Sequence, residues 1–568
     1  MKLPARLFRW RGYANGPEVA TFRIAKGYCT PDGKLEEHVE AALTDLPFGV
    51  DHTMCFVGVG DHGGGPTEEM IEWVRSHRES FPGTRLAFSS PDNFFRATRP
   101  SLARLPLVVG ELQMHAVGCY SVHRPVKVSL RNAEHRLAQA ETVLKGRKSS
   151  VEDRRQLDIA WKRVCFHHFH DTLGGTCLPT AYVEVQAQLG QALAIADEVS
   201  ALTLRREIIS LPSSPHQRLI FFNASELPYD DYVEVEPWLE WTKWDKAWEI
   251  IDETGRAVRY QVMEAESAGG LETRLLFRIK AEPSVMRTFR IVRGTGRKPG
   301  RLSGFTCTAN SFHAKGGPSV QLGNAGSMSL PGLRQLPLPE LTLCEDHTDT
   351  WSHGIDRYER KNVSEVTWES PFLQDEGPLM ASLIQKGRMG QSRVQAEWRL
   401  HDGCSWIDLR LRVLWNEERR LLKLDWSFPE AILHREDGIL GGSLVRSTDG
   451  RELPLRDWTL LRWKKGGMAV ITPDVFACDC TSTRLGLTLL RGCVLACHEP
   501  NPGTHARAVY SDRGEHAFRF RFLAAGKITA AELDALAFAQ QRPLLSATST
   551  RGMPTRALRA HFHPLPAK

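Results

Sequence analysis

The sequence lacks the marks of several protein classes. It holds 12 cysteines in 568 residues, but none form a CxxC pair and their scatter frames no disulfide scaffold or zinc ribbon. The one close pair, Cys478 and Cys480 in FACDCTST, reads as strand or turn. Scattered thiols suit a reducing compartment, so a cytoplasmic location is expected. No apolar run approaches the roughly 18 residues of a membrane helix, so no membrane partner is expected. The opening MKLPARLFRWRG has no apolar stretch of the secretory kind. Basic residues number 73 against 67 acidic ones, a formal charge of +6, yet like charges never gather into a block. Without a basic patch interleaved with aromatics, no nucleic-acid partner is expected. There is no fixed-period repeat.

What is present is ordinary globular composition, 42% apolar and 25% charged, in a chain too long for one core. Residues 1–110 read as α/β. Thr53–Val59 (TMCFVGV) is an apolar run of strand length that ends in GDHGGGPT, and EEMIEWVRSHRES follows as a helix. Pro66 suits that helix's first turn, and Glu68 and Glu69 complement its dipole. RLAFSS reads as a second strand and SPDNFFRATR as a helix capped by Ser90. Strand, loop, helix, strand, helix is the grammar of a parallel sheet or barrel. A strand begins almost at once in PEVATFRIAKGY, which suggests that the chain opens inside a domain.

From about 125 to 208 the pattern turns helical. HRLAQAETVL and RRQLDIAWKRVCFHHFH are amphipathic, and in a third, longer helix Val185, Leu189, Ala192, Ala196, Val199 and Leu202 recur at spacings of three and four. Three such helices make a small bundle. LPSSPHQ (211–217) is a linker, after which short alternating strands dominate until AAELDALAFAQQ, the pattern of β-sandwich domains. The Gly/Ser/Pro-rich stretch 314–333 reads as a long loop.

Four segments could carry chemistry. Asp61 lies just past a predicted strand end, beside three glycines that let backbone approach a ligand; the alternative is a βα loop whose Asp caps the helix. In FHHFHDTLGG, His167, His170 and Asp171 share one face if the segment is helical, and are metal ligands by type; the alternative is a solvated helix end stopped at Gly174-Gly175. In EDHTDTWSHGIDRYE, His347, Asp349, His353 and Asp356 sit beside Trp351. Metal binding, sugar stacking and turn chemistry all remain open there, with a polar loop favoured. DRGEHAFRFRF (512–522), with His516, reads as an alternating strand whose hairpin end could point into a cleft.

Together the segments resemble glycoside hydrolase family 38. The resemblance is carried by FRWRG (8–12), GVGDHGGGPT (58–67), HHFHDTLGGTCLPTAY (167–182), EDHTDTWSHGIDRY (345–358), GGSLVRSTDGRELPLRDW (441–458) and GEHAFRFRF (514–522), in the family's order. It implies a retaining α-mannosidase holding one divalent metal, zinc by the family's habit, and a mannose-containing glycan or mannoside as substrate. By the same resemblance Asp61 matches the catalytic acid/base, His170 a metal ligand, Asp171 a group near the sugar hydroxyls, and Tyr28 a residue lining the site. The implied fold is multidomain, α/β then α then β. Residues 1–110 would be the C-terminal part of an α/β-barrel catalytic domain, 111–212 a three-helix middle domain and 213–568 a large β-sandwich region.

The family's nucleophile aspartate and three of its four metal ligands precede the FRW segment, which begins here at residue 8. The resemblance therefore implies an N-terminally truncated chain with little or no activity alone. The alternatives are a glycan-binding or scaffold remnant, and one half of a split enzyme whose other barrel half is a separate subunit. A homo-oligomer is left open.

Overall fold

The computed structural model describes residues 3–30, 34–60, 64–112, 116–147, 150–237, 243–245, 247–264, 273–294, 304–323, 326–499 and 508–549. It is a mixed, sheet-rich chain with several helices, in two compact units, Met1–Met114 and His115–Lys568.

In the first unit, β1 (Leu7–Arg11) pairs antiparallel with β2 (Glu18–Phe22) and parallel with β3 (Leu107–Val109). Three helices follow the chain: α1 (Leu35–Ala42), α2 (Glu68–Ser76) and α3 (Pro91–Thr98). Leu7, Val50, Phe94 and Leu105 form a small core, with the Phe22 ring edge-on to Phe94 at 5.0 Å. The buried Arg6 guanidinium donates to Ala41 O at 2.8 Å and Thr44 O at 2.9 Å, which ties the start of β1 to the end of α1. The hydroxyls of Thr67 and Ser90 accept the Met70 and Asn93 amides and so start α2 and α3.

Three local expectations change here. Residues 53–59 and 85–90 join no strand. The first is held instead by single bonds, Thr30 N to Gly58 O at 2.7 Å and Val59 N to Gly65 O at 3.1 Å. A parallel strand needs a neighbouring backbone in register, which apolar content alone does not supply. Helix α2 begins at Glu68 behind the Thr67 cap, so Pro66 precedes the cap rather than filling the first turn. Tyr28 lies outside any strand: β2 stops at Phe22, and Gly27 at φ +106° turns the chain.

The second unit opens with α4 (Arg124–Leu144), α5 (Val151–Phe166), the short α6 (His170–Gly174) and α7 (Pro179–Ser210). Leu130, Leu137, Leu157, Val164 and Leu189 fill the core that α4, α5 and α7 share. Fully buried alanines at 133, 140, 160, 192 and 196 let the helices approach closely. The α7 stripe is buried from Val185 to Val199, but Leu202 is only half-buried and Leu204 takes its place. A reciprocal cap between Ser150 and Asp153 starts α5.

Beyond residue 217 the chain is strands. A five-stranded sheet (Leu545–Ser549, Arg218–Phe222, Met286–Arg293, Trp248–Ile251, Ala257–Val258) faces a three-stranded one (Tyr229–Val235, Arg274–Ala281, Gln261–Met263). Phe277 on the smaller sheet meets Phe221 and Phe289 on the larger edge-on, at 5.7 and 5.3 Å. A six-stranded and a ten-stranded sheet then share the largest core, where Trp426 of one abuts Phe522 of the other at 5.0 Å. The stretch read as a loop at 314–333 contains the strands Ser319–Gln321 and Ser327–Leu330, in an antiparallel meander. Val320, Met328 and Leu330 bury there on a two-residue period that the surrounding Gly and Ser obscure. Helix α8 (Ala530–Gln541) comes only near the end, started by a Thr529–Glu532 box.

Candidate functional site

The histidine-rich segment does not form one helical face. Helix α5 ends at Phe166, a turn follows, and α6 restarts at His170, so His167 and His170 point apart. His167 is buried with Nε2 2.9 Å from Gln188 Oε1 of α7, and His168 Nε2 lies 2.6 Å from Glu134 Oε1 of α4. Both anchor helices to one another. The His170 side chain is 80% exposed, and its Nε2 is 3.6 Å from Oδ2 of the partly exposed Asp171.

The turn that presents them is heavily braced. The Tyr182 hydroxyl lies 3.2 Å from both Asp171 O and Thr172 O and accepts Cys177 N at 3.1 Å. Thr176 N donates to Asp171 O at 3.1 Å. Burial pushes the Tyr182 phenol far above its usual range, so it stays a protonated donor. The Lys127 ammonium donates to Val122 O at 2.6 Å and Leu173 O at 2.9 Å, tying α6 to the start of α4, and its burial lowers its pKa to about 8. Gly175 ends α6 at φ +83°, and a Cβ there would fall onto Val122 O.

The loop 346–358 is polar, with His347, His353 and Asp356 exposed and its backbone held from beneath by a buried cation. The fully buried Arg491 guanidinium donates to Asp346 Oδ2 at 2.8 Å, Thr350 O at 3.0 Å, Thr348 Oγ1 at 3.0 Å and Asp349 O at 3.1 Å, and lies over the Tyr358 ring. Thr350 N donates to Cys497 O at 3.1 Å and Cys497 N to Thr350 Oγ1 at 2.9 Å, which pins the segment 494–498 alongside. His498 therefore stacks on Trp351 at 4.1 Å, although it lies far from the loop in sequence. His353 Nδ1 is 2.5 Å from Asp349 Oδ2. His347 and Asp356 do not join this group: the first approaches Glu345 and the second Arg357.

A third cluster closes the start of α4. Asp512 Oδ1 accepts the Arg124 amide at 2.7 Å, a helix cap supplied from the far end of the chain. Burial pushes the Asp512 carboxyl up to about 6. His516 is buried, with Nε2 2.6 Å from Asp512 O, and burial draws it down to about 4. A cleft of about 500 Å³ opens beside it, lined among others by His123, Tyr182, Tyr510 and Asp512. Of these groups only His516 stood out in the sequence. Asp512 opens the segment that holds His516 but was not singled out in it, and Lys127 and His498 are single polar residues that gave no spacing to read.

Asp61 lies outside the described residues. Next to it, Gly64 packs so tightly on Val59 O that a Cβ could not be placed, so this glycine serves a close backbone approach. Tyr28 is exposed within the first unit.

The family model for the Alpha mannosidase middle domain matches residues 114–206, and that for the Glycosyl hydrolases family 38 C-terminal domain matches 340–499. Over these two stretches the chain carries the middle and C-terminal domains of glycoside hydrolase family 38. Among its relatives, Alpha-mannosidase G of Dictyostelium discoideum is 22% identical over 581 aligned residues, covering 90% of this chain and 51% of that protein. Alpha-mannosidase 2C1 of Homo sapiens is 28% identical over 184 residues, covering 31% of this chain and 17% of that protein. The chain thus spans about half the length, or less, of the curated relatives it matches. The fold is similar to that of an alpha-mannosidase from Enterococcus faecalis V583, with a TM-score of 0.77 at 13% identity over 97% of this chain and 72% of that one.

The family is one of metal-dependent mannosidases. His170 finds only Asp171 as a neighbouring donor, whereas tight zinc sites use three or four protein ligands. Among the described residues, then, the set around His170 does not fit a metal by itself. A group of three potential ligands does occur elsewhere, at Asp349, His353 and His498.

Proposed function

We propose that the protein carrying this chain is a retaining α-mannosidase that cleaves terminal α-D-mannosides with a divalent metal, zinc in class. In this reading His170 ligates the metal, Asp61 serves as general acid and then base, and Asp171 and Tyr28 contact the sugar. The supporting observation is the match of a mannosidase middle domain and a family 38 C-terminal domain, in that order, along one chain. The architecture that goes with it is a partial α/β barrel over 1–110, a three-helix middle domain over 111–212 and β-sandwich domains beyond. A reducing, cytoplasmic setting agrees with twelve free cysteines; no helix among the described residues is long and apolar enough to cross a membrane.

A retaining glycosidase needs two carboxylates about 5 Å apart, one as nucleophile and one as acid then base. The resemblance assigns only Asp61 within these 568 residues. The chain by itself is therefore proposed to turn over little or no substrate. The test is hydrolysis of an aryl α-mannoside by the zinc-loaded 568-residue chain, where a rate near that of family members would overturn this part of the reading. Mannoside binding that survives both D61N and H170A would replace the enzyme with a glycan-binding protein.

A further inference from the structure

We infer that Asp349, His353 and His498 form a divalent-metal site of their own, separate from any metal at His170. Their donor atoms all lie within 4.8 Å of one another. Two imidazoles and a carboxylate suit zinc-class cations of borderline softness and not calcium or magnesium, which prefer oxygen alone.

The site is built rather than incidental. Asp349 is 5% exposed, and its backbone carbonyl is held by the buried Arg491. Its carboxylate is already aimed at His353, accepting the His353 amide at 2.9 Å on Oδ1 and meeting Nδ1 at 2.5 Å on Oδ2. Ser352, between them, holds a left-handed φ of +54°, a conformation that a non-glycine residue adopts only where its surroundings enforce it. The bonds from Thr350 N to Cys497 O and from Cys497 N to Thr350 Oγ1 carry His498 to the same place, and its ring stacks within 9° of the Trp351 plane.

Metal bonds of about 2.0–2.1 Å in a tetrahedron place neighbouring ligand atoms about 3.4 Å apart. No pair here has to close by more than about 1.4 Å, and the Asp349 Oδ2–His353 Nδ1 pair, at 2.5 Å, opens by about 0.9 Å. Both histidines sit at exposed positions beside a buried carboxylate, so side-chain adjustment alone can supply these changes. Three protein ligands leave a fourth position for water or an exchangeable ligand.

The inference does not rest on the glycosidase reading, and its test does not use turnover. The metal-stripped 568-residue chain is titrated with Co²⁺, and bound equivalents and the d–d absorption of the complex are recorded. H353A and H498A, both at exposed positions, are each expected to remove one equivalent with its band and to weaken binding by more than about 100-fold. Far-UV dichroism should stay unchanged in both, and H170A should keep that equivalent. An H353A/H498A double variant with the wild-type stoichiometry and spectrum would overturn the inference. So would equal competition by Mg²⁺ or Ca²⁺, which would show that the group merely attracts charge.

Discussion

Replacing Arg491 with Met should be among the most damaging single changes in the second unit. Arg491 and Asp346 are both fully buried and joined at 2.8 Å. Without the guanidinium, Asp346 keeps only the Thr348 amide at 3.1 Å and hydroxyl at 2.6 Å, two neutral donors for a full charge. Removing one partner of a buried ion pair costs about 3–5 kcal/mol; in addition Thr350 O loses the Arg491 donor, and Asp349 O keeps only the Ser352 amide of its two. R491K should cost less, about 1–2 kcal/mol, since an ammonium keeps the charge but cannot fork to four acceptors. Adding D346N to R491M should recover roughly 1–3 kcal/mol, because the stranded charge is gone while an oxygen still accepts from Thr348. Urea denaturation followed by pulse proteolysis measures R491M, R491K, D346N and the D346N/R491M double variant against the wild type. A loss below about 1 kcal/mol in R491M, or strict additivity of D346N with R491M, would refute the reasoning.

Three further outcomes follow from the supports of the His170 turn and the start of α4. G175A should lose at least about 2 kcal/mol, since Ala is strained at φ +83° and its Cβ meets Val122 O; G174A, at a helical position with room, is the control. Lys127 holds its proton less tightly folded, at about 8, than at its ordinary 10.5, so the wild type should gain stability relative to K127M as pH rises from about 8 to 10.5. That gain is at most about 3 kcal/mol, and a flat difference would show that the ammonium is solvated. Asp512 has the opposite sign: its folded value of about 6 lies above the ordinary 3.8, so the wild type should lose stability relative to D512N as pH rises from about 4 to 6, by up to about 3 kcal/mol. Chemical denaturation at stepped pH reads both differences.

The elements with strong periodicity were legible in the sequence. The α7 stripe from Val185 to Val199 and the alternation of Phe518, Phe520 and Phe522 each bury one face, and helix or strand follows from that alone. The run 53–59 misled because strand character belongs to a pair of backbones and not to one apolar segment. The site was legible as residue types and not as geometry. His167, His170 and Asp171 are a metal set by letters, yet a turn after Phe166 sends His167 to Gln188 and leaves His170 outward. The reverse holds at Trp351, where the loop was visible but its partner His498 arrives through hydrogen bonds between segments far apart in the chain. Asp512 as the cap of α4 could not be foreseen for the same reason.

The most direct test of the account is the stereochemistry of mannose release by the zinc-loaded protein that carries this chain, followed by ¹H NMR in wild-type and H170A forms. The account predicts that the α-anomer appears first and that H170A releases mannose at least about 100-fold more slowly, as for loss of a metal ligand. First appearance of the β-anomer, or release that is indifferent to H170A, would contradict it.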